Sequence, residues 1–166
     1  MLQRIPLDDL KKGLVLEKPP RSDRVIGEAK ELTDKKRRLF HPTILCEGTH
    51  CFAVWRDEPK GSNAAYINGL NGTTIWRKRF AHRGTQVSIR TDGAGGGLLA
   101  WYQNGGVHVA PITRDGIGEP SVISRVTGEQ PSPSISRGKN HGEWVIAWTD
   151  YEAGHLEAYT SAVTCK

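Results

Sequence analysis

Apolar and polar residues alternate along most of the chain, and one alternating phrase occurs three times. Each copy has an isoleucine two residues after a proline or valine, then a turn, then an apolar strand ending in tryptophan. The copies run from Pro42 to Trp55, from Val87 to Trp101 and from Pro133 to Trp148. The isoleucines lie 45 and 46 residues apart, and the tryptophans 46 and 47. Such a period is typical of repeated β-structure with one antiparallel sheet per repeat.

Alternation between turn residues predicts four strands in each of the first two repeats. They are Thr43–Cys46, Cys51–Arg56, Ala64–Asn68 and Thr73–Phe80 in the first repeat, and Gln86–Arg90, Leu98–Tyr102, Val107–Ile112 and Ser121–Val126 in the second. The third repeat gives three, Ser134–Ser136, Trp144–Thr149 and Leu156–Val163. The expected fold is therefore all-β and propeller-like, with four-stranded antiparallel repeats whose last member lacks one strand.

The first forty residues do not follow the repeat. The expected domains are an N-terminal arm, residues 1–40, and a three-repeat domain, residues 41–166. The hydroxyl of Thr33 can cap a short basic helix over residues 34–40. The segment Arg24–Gly27 resembles Ser121–Ser124, the last strand of the second repeat. That segment, or a strand from a partner chain, is expected to complete the third repeat.

The pattern of Pro-x-Ile followed by apolar-Ala-Trp-x-Asp resembles the repeat of bacterial-type β-propellers over about residues 41–163. The sialidase motif Ser-x-Asp-x-Gly-x-x-Trp is missing from all three copies. The resemblance implies sheets arranged radially as blades, and propellers usually have roughly four to eight of them. Three blades do not close a ring, so the resemblance predicts self-association or pairing with another propeller fragment.

The net charge of +5 lies mostly in the arm, since residues 1–41 carry eleven Lys and Arg against seven Asp and Glu. Residues 42–166 carry twelve against eleven, so the repeats are nearly neutral and nucleic acid is not expected as a partner. A weaker alternative is nucleic-acid binding through the basic run Lys35–Arg38. The sequence has no apolar span or leader, which predicts a soluble, unsecreted protein without a membrane role unless it is part of a longer chain.

Three cysteines leave one without a partner. Cys46 and Cys51 flank a hairpin turn, where facing strands could bring their sulfurs within bonding range in an oxidising compartment. With His50 between them a metal site is the alternative, but zinc sites usually draw four ligands from two separated pairs. Cys165 would remain free. No metal and no cofactor is expected.

The repeated tryptophans have two interpretations, packing between sheets or stacking on a sugar, and packing is favoured because they end apolar strands at the repeat period. The loops that follow them are better binding candidates, because they combine aromatic, amide and carboxylate groups. The predicted binding residues are Arg56, Asp57, Tyr102, Gln103, Asp150 and Tyr151. The glycine-rich run from Asp92 to Gly97 is expected to be a flexible hairpin turn.

No catalytic arrangement stands out, because the six histidines are scattered and none pairs with a Ser or Cys in a familiar spacing. The chain is therefore expected not to be an enzyme. The leading hypothesis is a non-catalytic interaction module that completes a propeller by association and binds a macromolecule through its loop rims. The alternatives are a lectin-type propeller that binds glycans and a non-catalytic fragment of a propeller hydrolase.

Overall fold

Strands, turns and short irregular links make up the described part of the chain in this computed structural model. The structure describes residues 38–58, 60–82, 86–125, 131–151 and 154–165, all within one unit, Glu31–Lys166. The other unit, Met1–Lys30, contains the candidate closing strand Arg24–Gly27 and lies outside the described residues. The described ranges contain no helix, and hence none that could cross a membrane.

The described strands form three antiparallel sheets, one for each repeat. The first sheet contains, in spatial order, β1 (Arg38–Glu47), β2 (His50–Glu58), β3 (Gly61–Asn68) and β4 (Thr74–Ala81). The second contains β5 (Val87–Thr91), β6 (Gly96–Gln103), β7 (Gly106–Thr113) and β8 (Gly116–Ile117), and β9 (Ser121–Arg125) also pairs with β7. The third contains β10 (Ser134–Arg137), β11 (Glu143–Asp150) and β12 (Glu157–Thr164). The all-β prediction is confirmed, whereas these three sheets do not form a closed ring.

Each strand predicted in the repeats has a counterpart in the structure, and the third sheet has three described strands as expected. The predicted fourth strand of the second repeat is β9, which pairs with β7 through Val109 and Ser121 and through His108 and Val122. The two-residue strand β8 was not predicted, because two residues are too few to show an alternating pattern.

The helix predicted over residues 34–40 is wrong for residues 38–40, which belong to β1, while residues 34–37 lie outside the described part. Phe40 pairs with Arg56, and the register shifts before Thr43 pairs with Val54. The intervening His41 has a φ of 50°, and its neighbour Pro42 has no N–H to give to a ladder. The strand therefore continues through a bulge, and pairing with β2 outweighs the local helical preference.

The second strand of each sheet places its side chains on two faces by simple alternation. We call the face that carries Trp55, Trp101 or Trp148 the tryptophan face and the other the opposite face. In the second sheet, Trp101 packs in a buried cluster with residues of the first sheet's opposite face, including Phe52 and Val54. The third sheet repeats this arrangement, since Trp148 packs with Leu98 and Ala100 of the second sheet's opposite face. The tryptophan faces of the second and third sheets thus each contact the opposite face of the preceding sheet.

The two terminal faces of this stack differ in exposure. The tryptophan face of the first sheet forms a cluster of its own whose members are buried: Cys51, Ala53, Trp55, Ala65 and Ile67. The opposite face of the third sheet is open, with Val145 42% exposed and alternate residues of β12 exposed. Apart from Glu143 at the start of β11, the side chains of this face are small and uncharged: Ser134, Ser136, Val145, Ala147, Thr149, Ala158, Thr160, Ala162 and Thr164.

Equivalent positions of successive repeats are joined by hydrogen bonds. Arg137 Nε donates to the carbonyl of Thr91 at 2.5 Å, and Gly93 N–H donates to Glu47 Oε1 at 2.7 Å. Ser132 likewise donates to Gln86. All three bonds join residues 46 positions apart, a spacing that also occurs in the sequence repeat. The repeat period therefore corresponds to the step from one sheet to the next.

Candidate functional site

The six predicted binding residues lie at or just after the ends of β2, β6 and β11, on the rim that carries the β2–β3, β6–β7 and β11–β12 links. They differ widely in exposure. Tyr151 is 54% exposed, and Arg56, Tyr102 and Gln103 are half-buried. Asp57 and Asp150 are each only 3% exposed. The rim position is as expected, but its two aspartates are turned away from solvent.

Strand alternation explains why these aspartates are buried. Asp57, Gln103 and Asp150 each follow a repeat tryptophan by two residues, so each begins on the same face as that tryptophan. In the second repeat the relationship is a direct contact, because Trp101 Nε1 donates to Gln103 Oε1 at 3.2 Å. The residue two places after the tryptophan therefore lies on the packed face of its strand, which explains the burial of Asp57 and Asp150.

The contacts of Arg56 and Tyr151 lie within single sheets. Arg56 pairs with Glu58, and its guanidinium lies 5.8 Å from the centre of the Phe40 ring. In the third sheet, Tyr151 N–H donates to Asp150 Oδ1 at 2.7 Å. These contacts join no two of the three rim loops, so they do not show a shared site. A binding role for the six residues stays a prediction.

A cleft of about 700 Å³ with both polar and apolar walls lies at the opposite rim. It is bordered by the start of β2, the β5–β6 and β7–β8 turns and the β10–β11 loop. Its lining residues are His50, Tyr66, Ile75, Asp92, Ala94, Gly95, Gly96, Thr113, Arg114, Asp115 and His141. The cleft therefore combines two carboxylates, two imidazoles and a guanidinium with an apolar wall.

The glycine-rich turn beside the cleft is anchored by two carboxylates. Asp92 Oδ1 accepts hydrogen bonds from the N–H groups of Ala94 and Gly96 at 2.7 and 3.0 Å. Glu47, from the first sheet, accepts from Gly93 and Gly95 at 2.7 and 3.1 Å. Four successive backbone N–H groups are thus satisfied, in an arrangement like the anion-binding concavities made by consecutive amides. The flexible turn expected from its composition is instead well fixed.

The cysteine pair next to His50 forms a disulfide. Cys46 and Cys51 face each other across β1 and β2 and are bonded, as one of the two sequence interpretations proposed. Bonded sulfurs are not thiolates, so this pair does not supply metal ligands with His50. Among the described residues, no group of three or more His, Cys, Asp or Glu side chains is arranged to hold a metal ion.

Two titratable groups in the described part of the chain have shifted pKa values. Burial raises the pKa of Cys165, although a hydrogen bond with Trp144 acts in the other direction. A raised pKa leaves this free cysteine protonated at neutral pH, which disfavours a role as an activated nucleophile. Hydrogen bonds from Asn140 lower the pKa of Glu143 and hold the β10–β11 loop that carries His141.

Sequence reasoning did not predict the cleft, because its walls come from three repeats. His50 was considered only for its neighbouring cysteines, and Asp92 only as part of a turn. The repeat spacing of about 46 residues was the signal available in the sequence. The inter-sheet hydrogen bonds have the same spacing, because equivalent strand ends of successive repeats meet at one rim. Aligning those ends would have grouped Glu47, Gly93 and the β10–β11 loop.

Comparison with known proteins gives no family assignment. No protein-family model matches the sequence, and no curated protein matches it.

Proposed function

We propose that this protein is a non-catalytic interaction module made of propeller-type blades, completed by association with a second copy. The observation that carries the proposal is the open opposite face of the third sheet. The same kind of face occurs three times in the described chain, and it is covered by a following sheet twice. The third occurrence is the surface on which we place the association.

Equivalent residues on the opposite faces of the three sheets differ in exposure. The position just before the tryptophan is Val54, Ala100 or Ala147; the first two are 1% and 0% exposed, and Ala147 is half-buried. Two residues earlier, Phe52 and Leu98 are buried, whereas the equivalent Val145 is exposed. Covering this face, whose one charged residue, Glu143, lies at the end of β11, would remove apolar area from water at roughly 25 cal/mol per Å².

The edge of the third sheet supports the same interpretation. β4 and β9 lie at the outer edges of the first and second sheets. β4 carries Arg77, Lys78 and Arg79, while β9 is only five residues long, and both pair with register shifts. β12 has eight residues in unbroken register with β11, and it carries a single charge at Glu157. Charges, bulges and short length protect edge strands from pairing, so β12 is the least protected of the three.

The rim beside this face offers contacts to a further macromolecule. Tyr151 and Leu156, in the β11–β12 link, are 54% and 68% exposed. Exposed aromatic and aliphatic side chains on a polar rim are common in protein interfaces, where tyrosine is enriched. This rim is our candidate surface for a protein partner once the third sheet is covered. The sugar-stacking role considered for the repeat tryptophans has no support, because all three are buried.

We expect Val145→Lys to weaken self-association, because it places a charge at the centre of the uncovered face. Sedimentation equilibrium should give twice the chain mass of 18.3 kDa for the unaltered protein and a mass close to 18.3 kDa for the variant. The matched control is Val122→Lys, which alters an exposed valine on β9 of the second sheet. The proposal would be refuted if the unaltered protein had the single-chain mass at all concentrations. It would also be refuted if the two variants associated equally.

A further inference from the structure

We propose that the cleft at the rim opposite the predicted binding loops is a binding site for a neutral saccharide. The cleft lies between the first two sheets and is closed on one side by the β10–β11 loop. Its volume of about 700 Å³ is typical of small-molecule sites, which range over roughly 300–1,000 Å³. The inference is independent of association through the third sheet.

One wall of the cleft is apolar and partly aromatic. The ring of His50 stacks on Tyr66 with centroids 5.1 Å apart and planes 9° apart, and Tyr66 stacks in turn on Trp76 at 6.1 Å. Tyr66 itself is buried, so His50 and Ile75, which is 51% exposed, present the accessible part of the wall. The C–H face of a sugar ring is matched by this kind of surface, which combines a flat ring with an aliphatic side chain.

The other wall can exchange hydrogen bonds with hydroxyl groups. Asp92 Oδ2 lies 3.7 Å from His141 Nε2, which is longer than a hydrogen bond. A sugar hydroxyl placed beside this gap can donate to Asp92 and accept from His141, because a hydroxyl is both donor and acceptor. Asp115 and Arg114, 3.8 Å apart, form a second such pair at the mouth of the cleft. Both pairs suit a ligand whose hydroxyl groups each donate one hydrogen bond and accept another.

The charges of the cleft favour a neutral ligand over an ionic one. Each carboxylate has a basic group within 4 Å, Asp92 having His141 and Asp115 having Arg114. Asp92 also accepts the N–H groups of Ala94 and Gly96, and Arg114 faces Asp115, so these carboxylates and this guanidinium are already engaged and do not select a phosphate or an ammonium group by charge alone. The described part of the chain also lacks a metal-holding cluster through which an ion could bridge to a ligand.

The walls are held in place before any ligand binds. Trp76 Nε1 donates to the carbonyl of Arg114 at 2.7 Å, which ties β4 to the β7–β8 turn. Asp92 and Glu47 hold the β5–β6 turn, and Arg137 approaches Glu47 at 3.4 Å from the third sheet. A site that is already ordered loses less conformational entropy on binding, which matters for weak, hydroxyl-rich ligands.

The test is an NMR titration of the full-length protein with maltotriose, cellotriose and the trimer of N-acetylglucosamine, with trilysine as an ionic comparison. We expect at least one saccharide to give saturable shifts of the His50 and His141 rings and of the Trp76 indole, with a Kd of about 1 mM. His141→Ala should raise that Kd by about fivefold or more, because one ligand hydrogen bond is lost.

The matched control is His155→Ala, because His155 and His141 are similarly exposed and each lies near a carboxylate, Glu157 in the case of His155. This control should leave the saccharide Kd unchanged. Three outcomes would overturn the proposal: no saturable shift with any saccharide up to about 20 mM, equal affinities of the two variants, or tighter binding of trilysine. Thermal melting of both variants checks that they remain folded.

Discussion

Replacing Trp101 by alanine is expected to lower the free energy of unfolding by about 3–5 kcal/mol. This indole is 1% exposed in the cluster between the first two sheets. Its ring meets Phe80 edge-on at 5.0 Å and stacks on His108 at 5.5 Å, and its N–H donates to Gln103. Alanine would leave a cavity between two sheets and an amide oxygen without that donor, so both packing and hydrogen bonding are lost.

Urea denaturation followed by far-UV circular dichroism, at one protein concentration, measures this change. Tyr151→Ala is the control, because an exposed aromatic at the rim should alter stability by less than about 0.5 kcal/mol. Trp101→Phe should fall between them, since it keeps most of the volume but not the N–H. A loss below about 1 kcal/mol for Trp101→Ala would show that the first two sheets are not packed through this residue.

Gly61→Ala is expected to destabilise the protein by about 3 kcal/mol or more. Gly61 begins β3 with a φ of 110°, a conformation that side chains rarely adopt. A Cβ atom there would lie 1.8 Å from the carbonyl oxygen of Ala81, at the end of β4. Because that obstacle is backbone within a paired strand, relief requires β3 and β4 to separate locally.

Gly48→Ala is the matched control for this substitution. Gly48 also has a positive φ, 56°, but a Cβ there would have no atom within 4 Å. It should therefore show only the left-handed backbone penalty, about 1 kcal/mol. Thermal unfolding of both variants gives the comparison. Equal losses would mean that the close approach of Gly61 to Ala81 does not constrain the first sheet.

The strands were predictable because the sequence has two periods, the two-residue alternation within strands and the spacing of 46 or 47 residues between the repeat tryptophans. Alternation within strands located β2, β6 and β11, and the spacing of Trp55, Trp101 and Trp148 aligned them. The expectation that these tryptophans pack between sheets is confirmed for Trp101 and Trp148, whereas Trp55 is buried in a cluster of first-sheet residues. The helix prediction was wrong at residues 38–40 because local propensity contains no information about pairing with a distant strand. Whether the sheets close into a ring cannot be predicted from alternation within strands or from the repeat spacing.

The candidate site was harder to predict than the fold. Alternation from each tryptophan already places Asp57 and Asp150 on the buried side, a signal that loop composition obscured. The cleft required contacts between repeats, such as that of Glu47 with Gly93. Those contacts follow from the stacking of sheets, which the sequence indicates by its period but not by the positions of individual side chains.

Hydrogen–deuterium exchange of β12, Glu157–Thr164, tests most directly whether the third sheet is completed by association. Over about a hundredfold increase in protein concentration, its edge amides should become about tenfold slower to exchange, and Val145→Lys should abolish that dependence. Fast exchange at every concentration would contradict the account, because the open face of the third sheet and its β12 edge would then stay uncovered. Slow exchange at every concentration would contradict it equally, since the edge would be completed within one chain.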